Sequence, residues 1–262
     1  MITLAVTNEK GGVGKTTTAV NLGSALARSG LRTVVVDLDP QVNATSHLGA
    51  PTTLEKSIHG VLLHEEPASR AVLTTTHHGL ALLPSSVDMA SAEVELAPQM
   101  AREFRLRTSL SALSNFDRAI VDCPPSLGLL TINALVAADL VIIPVQCEYL
   151  ALEGLAQLMT TIDAVRSRLN PRLNVLAIVL TMEDRRNRLS IQVADEVTRH
   201  FSSLVATTRI PRSVRLAEAP SHGQPIDVYD PSSRASKAYA ELAREVEARL
   251  ATASTTVPTV AS

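Results

Sequence analysis

The string Lys10-Gly11-Gly12-Val13-Gly14-Lys15-Thr16-Thr17 follows an aliphatic run, residues 2–7, and opens a stretch with helical periodicity, residues 14–29, that Gly30 ends. No other part of the chain restricts the fold as strongly. A strand that passes through glycines straight into a helix turns consecutive backbone N–H groups inward around one point. The start of the helix adds its partial positive charge. Such a loop is a cradle for a polyphosphate. Lys15 is placed to reach the β and γ phosphates and the Thr16 hydroxyl to ligate Mg²⁺, while Gly11, Gly12, Val13, Gly14 and Thr17 complete the wall. A glycine-rich turn with an incidental lysine does not explain strand, loop and helix in this order with Gly-Lys-Thr-Thr at the junction.

Aliphatic runs recur at residues 33–37, 80–83, 118–122, 140–145 and 175–181, separated by stretches of helical periodicity such as 127–138 and 150–169. Repeated strand–helix–strand order specifies an α/β fold with a mostly parallel central sheet flanked by helices on both faces. Composition agrees. Apolar residues make up 45% and aromatic residues 2%, so the core must be Ala, Val, Leu and Ile, as in strands buried on both sides. One domain over residues 1–250 is expected, followed by a small, polar, proline-containing tail, 251–262, expected to be disordered.

In such sheets ligands bind beyond the C-terminal ends of the strands, and two carboxylates fall there. Asp39 stands in Asp37-Leu38-Asp39-Pro40-Gln41, just past the second run, and Asp122 closes Ile120-Val121-Asp122. A buried, unpaired carboxylate is costly, so Asp39 is better explained by Mg²⁺ or water nearby than by packing, whereas Asp37 suits an acidic helix cap. Asp122, at the end of an aliphatic strand, is arranged to hold Mg²⁺ through water.

A net charge of −2 excludes a chain that is basic all over, so any nucleic-acid surface must be local. Residues 181–216 carry seven arginines against four acids, net +3. Only four of the 24 basic residues are lysines, and two of them, Lys10 and Lys15, stand in the phosphate loop. With so few aromatics, contacts to nucleic acid should go to phosphates and be blind to sequence. Cys123 and Cys147 cannot build a disulfide framework, fit a reducing cytosol and read as small buried residues. His77-His78 lies in a polar turn and is expected to be solvated. No apolar run approaches the roughly 18 to 20 residues a membrane helix needs.

The ordinary phosphate-loop pattern has Gly where this chain has Glu9 and asks for nothing at Lys10. The string as it stands resembles the deviant Walker A motif of the ParA/MinD group. Longer runs look like chromosomal ParA, also called Soj: Asp39-Pro40-Gln41 with Asn43-Ala44-Thr45-Ser46, Asp122-Cys123-Pro124-Pro125-Ser126-Leu127-Gly128, Pro144-Val145-Gln146-Cys147-Glu148-Tyr149, Ile210-Pro211-Arg212-Ser213-Val214-Arg215-Leu216 and Glu218-Ala219-Pro220-Ser221-His222-Gly223. The resemblance covers residues 1 to about 248. It implies a slow, partner-stimulated ATPase with ATP and Mg²⁺ as cofactors and Lys10, Lys15, Asp39 and Asp122 as its catalytic groups. Two subunits would sandwich two ATP molecules, Lys10 reaching the phosphates of the facing subunit. Asp39 would position the attacking water, and Thr16, Asp39 and Asp122 would hold the metal. Met182 and Pro211 would line the nucleotide.

The same resemblance makes Arg186 and Arg215 the contacts to nonspecific double-stranded DNA, with a ParB-like centromere-binding protein as partner and a cytoplasmic, nucleoid-associated location. One departure is Val42, where the family usually has Gly, which bears on the mobility of this loop and on turnover. Two alternatives remain open. A MinD-like membrane-cycling ATPase would show a C-terminal amphipathic helix rich in Lys and bulky apolars, which the sequence does not offer. A metabolic ATP-dependent enzyme on the same core would need substrate or cluster residues that are not evident.

Overall fold

The computed structural model describes residues 1–148, 151–184 and 186–255. Seven strands form one sheet: β1 (Ile2–Val6), β2 (Thr33–Asp37), β3 (Leu73–Thr74), β4 (Leu80–Leu83), β5 (Arg118–Asp122), β6 (Leu140–Gln146) and β7 (Asn174–Thr181). They lie in the order β3-β4-β2-β5-β1-β6-β7. Every neighbouring pair runs parallel except β3 with β4. The two-residue β3, a half-buried Leu73 and an exposed Thr74 on the sheet edge, has no counterpart among the aliphatic runs, because two residues are too few to form one.

Alternation along each strand sends side chains to opposite faces. On one face, Leu4 and Val6 pack with Ala19, Leu22 and Leu26 of helix α1 (Lys15–Arg28) and with Leu242 and Val246 of the C-terminal helix Arg234–Thr255. On the other, Ala5, Val34 and Val36 pack with Leu135, Leu155, Ile162 and Val197. Those four come from the helices Leu129–Ala137, Ala151–Arg168 and Arg188–His200. The core is aliphatic on both sides, and Tyr239 is the largest side chain sealed within it. Its hydroxyl lies 3.4 Å from Thr18 Oγ1, so the polar atom it carries into this layer has a partner.

The C-terminal helix runs through Thr255, five residues into the segment expected to be unstructured; residues 256–262 lie outside the described part. Tyr239, Leu242, Val246 and Leu250 are buried, so its apolar face covers the sheet and is not presented outward as a membrane-binding helix requires. Among the described residues no helix is long and apolar enough to cross a membrane.

Register sets where chemistry can occur. Val6 of β1 and Asp37 of β2 both pair with Asp122 of β5, so three strands end side by side at one edge.

Candidate nucleotide site

The loop after β1 is anchored before it turns. Asn8 is buried, and its Nδ2 donates to the Pro144 carbonyl on β6 at 2.7 Å while its Oδ1 accepts from Lys10 N at 3.1 Å. The Thr181 hydroxyl at the end of β7 donates to the Val13 carbonyl at 2.8 Å. Asn8 escapes a reading of the sequence because its partner lies 136 residues away. Gly12 and Gly14 have φ of 77° and 87°, the left-handed region that costs a side chain about 1–2 kcal/mol. They turn the loop into α1.

The two lysines of the loop go different ways. Lys15 is buried and curls over the loop, its Nζ donating to the Lys10 carbonyl at 3.0 Å. Burial pulls its pKa down, while the Asp122, Cys123 and Asp39 side chains nearby oppose that. Lys10 stands at the rim with 42% of its side chain exposed, 3.6 Å from Glu148 Oε2.

Asp37, Asp39 and Asp122 converge here, each in its own role. Asp37 is fully buried and is the structural member. Its Oδ1 accepts from Asp39 N at 3.1 Å, and its Oδ2 accepts from Thr45 N at 2.8 Å and from the Thr45 hydroxyl at 2.7 Å. It thereby anchors the short helix Asn43–His47 from the strand end, whereas the N-cap of that helix is Val42, with no side-chain cap. Burial pushes its pKa up to about 6 against those hydrogen bonds. Asp39 Oδ1 accepts from Gln41 N at 2.9 Å, and its carbonyl accepts from Ser85 Oγ at 2.9 Å. Val42 follows with φ 58° and is buried, a strained backbone for a β-branched residue.

Asp122 is sealed from solvent, and neither carboxyl oxygen has a hydrogen-bond partner at bonding geometry. Burial holds its pKa well above the usual carboxylate range, with the Asp37 charge adding to it and the nearby Thr16 hydroxyl and Lys15 opposing. A buried, orphaned carboxyl beside a threonine hydroxyl and a second acid is the donor set a hard divalent cation takes. Thr16, Asp39 and Asp122 therefore fit Mg²⁺.

This has a consequence for stability. A carboxyl whose folded-state pKa is raised holds a proton that the unfolded chain releases, so its contribution is present at low pH and lost as pH rises through the folded value. Metal-free, nucleotide-free protein should lose stability from pH about 5 upward, through about 6 for Asp37 and further for Asp122. Asp122→Asn should flatten that fall, by about 2–4 °C for each kcal/mol recovered at high pH. Thermal unfolding across pH 5 to 8 measures it, and parallel curves for the two proteins would contradict the assignment.

At the far side of the loop, a Cβ placed on Gly14 would lie 3.9 Å from Met182 Cε. Met182 has φ 51°, and the next residue, Glu183, bridges to Pro211, its N donating to the Ile210 carbonyl at 3.1 Å. Met182 and Pro211 are thus brought together beside the phosphate loop. Glu93, which the sequence reading passed over, accepts from Leu130 N at 3.1 Å and so holds the start of the helix that follows the Asp122 loop.

The two candidate DNA arginines lie on separate elements. Arg186 precedes the helix Arg188–His200 and has 93% of its side chain exposed; Arg215 sits in Val214–Glu218, is 56% exposed and is ion-paired to Glu218 and Asp230. Both cysteines are buried and outside any disulfide, with burial pushing the Cys147 thiol up to about 11 and the Cys123 thiol higher. His77 departs from expectation. It is half-buried beside His47 and Asp227, its Nε2 closed off from solvent, and burial lowers its pKa.

The chain is similar in sequence and fold to several known proteins. The family described as AAA domain matches residues 1–175. The sporulation initiation inhibitor protein Soj of Bacillus subtilis is 51% identical over 94% of this chain and 98% of its own length. The chromosome partitioning protein ParA of Caulobacter vibrioides is 49% identical over 94% of each chain. Among solved structures, cobyrinic acid a,c-diamide synthase of Mycobacterium smegmatis with bound ADP and magnesium matches at a TM-score of 0.85 and 38% identity over the whole of both chains. The Pyrococcus furiosus cell division ATPase MinD matches at 0.78 and 25% identity, over 94% of this chain and 98% of that one. The chain belongs to the Soj/ParA family of chromosome-partitioning ATPases.

Proposed function

We propose that this partitioning ATPase works as a nucleotide-gated dimer on DNA: ATP binding pairs two subunits, the pair binds DNA without regard to sequence, and hydrolysis stimulated by a ParB-like protein releases it. The observation that carries this reading is the divergence of two lysines five residues apart. Lys15 is buried over its own loop, within electrostatic reach of Asp39 and Asp122, while Lys10 stands half exposed at the rim. A cation at the rim suits a site completed by a second subunit, which ties hydrolysis to pairing as an arginine finger does.

The reaction is ATP and water to ADP and phosphate. Loop N–H groups and Lys15 hold the β and γ phosphates, and Asp39 orients the attacking water. Mg²⁺, when bound by Thr16 and, through water, by Asp39 and Asp122, neutralises charge on the phosphate oxygens. Met182 and Pro211 line the nucleotide. The amide synthase named among the structural neighbours is less similar to this chain than the Soj and ParA relatives, 38% against 49–51% identity.

DNA binding tests the reading. If each subunit neutralises two or three phosphates through residues including Arg186 and Arg215, the dimer makes about 4–6 contacts and its log–log salt slope is about −4 to −5, with half that for a monomer. Arg186→Glu and Arg215→Glu should each abolish binding equally on unrelated sequences and leave ATP-driven dimerisation intact. The measurement is affinity against salt with ATP, with ADP and with neither. Equal affinity in all three states would refute the ATP dimer as the binding form, and a strong preference for one sequence would refute phosphate-only contact.

A further inference from the structure

Arg215 is occupied. Its Nη1 lies 2.9 Å from Glu218 Oε2 on the same short helix, and its Nε lies 3.6 Å from Asp230 Oδ2. Glu218 Oε2 also accepts from the Tyr229 hydroxyl at 3.1 Å, and the Tyr229 ring stacks on His222 with centroids 4.8 Å apart. A DNA phosphate reaching Arg215, which is 56% exposed, competes with two carboxylates that also repel it. Arg186 differs, with nearly all of its side chain open to solvent and a 3.3 Å contact to Asp184.

The residues that hold Arg215 belong to a stretch fastened to the nucleotide site. Ile226 N donates to Asn21 Oδ1 of α1 at 2.7 Å, and Ser24 Oγ of α1 donates to Asp227 Oδ1 at 2.9 Å, both buried. Asn21 Nδ2 in turn donates at 2.7 Å to the carbonyl of Thr17, in the phosphate-loop string itself. A second contact comes from the Asp39 side. A Cβ on Gly223 would lie 2.9 Å from Gly49 Cα, so the backbone just past the helix Asn43–His47 rests directly on residue 223. Two elements that border the proposed nucleotide site, α1 and the segment after Asp39, therefore pack against the stretch between Glu218 and Asp230.

We infer that Glu218 and Asp230 form an autoinhibitory clamp that masks Arg215 in the resting chain and opens when bound nucleotide shifts α1 and the segment 39–49. Affinity for DNA is then gated at one arginine as well as by dimerisation. The inference rests on the DNA-binding reading above and adds its regulation.

The test compares DNA binding of the full chain with ATP, with ADP and with neither, at one fixed salt concentration. Glu218→Gln with Asp230→Asn should raise affinity about 5-fold with ADP or without nucleotide, and less than about 2-fold with ATP, the scale of exposed ion pairs. Tyr229→Phe leaves the net charge unchanged and frees Glu218 from the hydroxyl that orients it; it should shift binding the same way by about 2-fold. It also decides the question if the double variant does not fold. Basal hydrolysis should stay at wild-type levels in both, and by linkage ATP affinity should rise by no more than about the same 5-fold and 2-fold. An equal gain in all three states would overturn the clamp, since it would report only weaker repulsion, and so would no gain. Wild-type protein that binds DNA in no state fails the DNA-binding reading itself. Wild-type protein that binds with ATP, beside variants with an unchanged ATP-to-ADP ratio, fails the clamp alone.

Discussion

Lys15→Ala should lose ATP binding, whereas Asp39→Ala should bind ATP and stop hydrolysing it. Lys15 is a buried cation at the mouth of a loop of backbone donors, and its charge-assisted bonds to phosphate are worth about 1.5–3 kcal/mol each. Removing them weakens binding by about tenfold to a hundredfold per bond, and the buried acids beside it then face the phosphates with less compensation. Asp39 sits at the same edge, but its carboxylate accepts from Gln41 N within its own loop, and the bond from Ser85 goes to its backbone carbonyl, which the substitution keeps. Its loss should leave the cradle intact and cost about 10²- to 10⁴-fold in rate, the range for groups that act on the attacking water's proton or orientation. ATP-bound dimers should accumulate. Asp37→Ala is the contrasting case, since it releases Thr45 and should lower the unfolding temperature. Nucleotide titration and phosphate release on the three variants separate these defects. Wild-type hydrolysis by Asp39→Ala would remove the water-positioning role.

The parts of this site legible in the sequence are those whose cause is local. Residues 33–37, 80–83 and 118–122 form strands with those same bounds, because strands buried on both faces read as short, largely aliphatic runs. The phosphate loop announces itself because glycines, a lysine and threonines all serve one ligand within eight residues. What stayed hidden depends on partners far along the chain. Asn8 is an ordinary polar residue until Pro144 arrives, Glu93 caps a helix that begins 36 residues later, and Arg215 looks free until the fold brings Asp230 to it. The short helices between residues 58 and 111 were unread for a related reason. Pieces of three to seven residues carry too few turns to display a period. The C-terminal helix overran its expected end because its last residues gain from helix continuity, not from composition of their own.

Lys10→Ala should bind ATP and yet fail to build a hydrolytically competent pair, and mixing it with Asp39→Ala should restore activity. Among the described residues, the Lys10 ammonium meets Glu148 and no group of its own phosphate loop. The Lys10 carbonyl is held by Lys15, while the ammonium points to Glu148 at the rim. Cations supplied across an interface are worth about 10³- to 10⁵-fold in related phosphoryl transfers, and a lysine, lacking the bidentate fork of arginine, could be worth less. The two variants are each inactive for different reasons, so their mixture discriminates between the two geometries. In a mixed pair, the subunit lacking Lys10 keeps its own Asp39 and is faced by the partner's intact Lys10, which makes one complete site. With random pairing of equal amounts, about a quarter of wild-type activity should return. If Lys10 served its own subunit's ATP, each site of the mixed pair would lack either Asp39 or Lys10, and none would return. Phosphate release from the mixture, with mixed pairs verified by differential tagging, gives the answer: pairs that form and stay inactive rule out action across the interface.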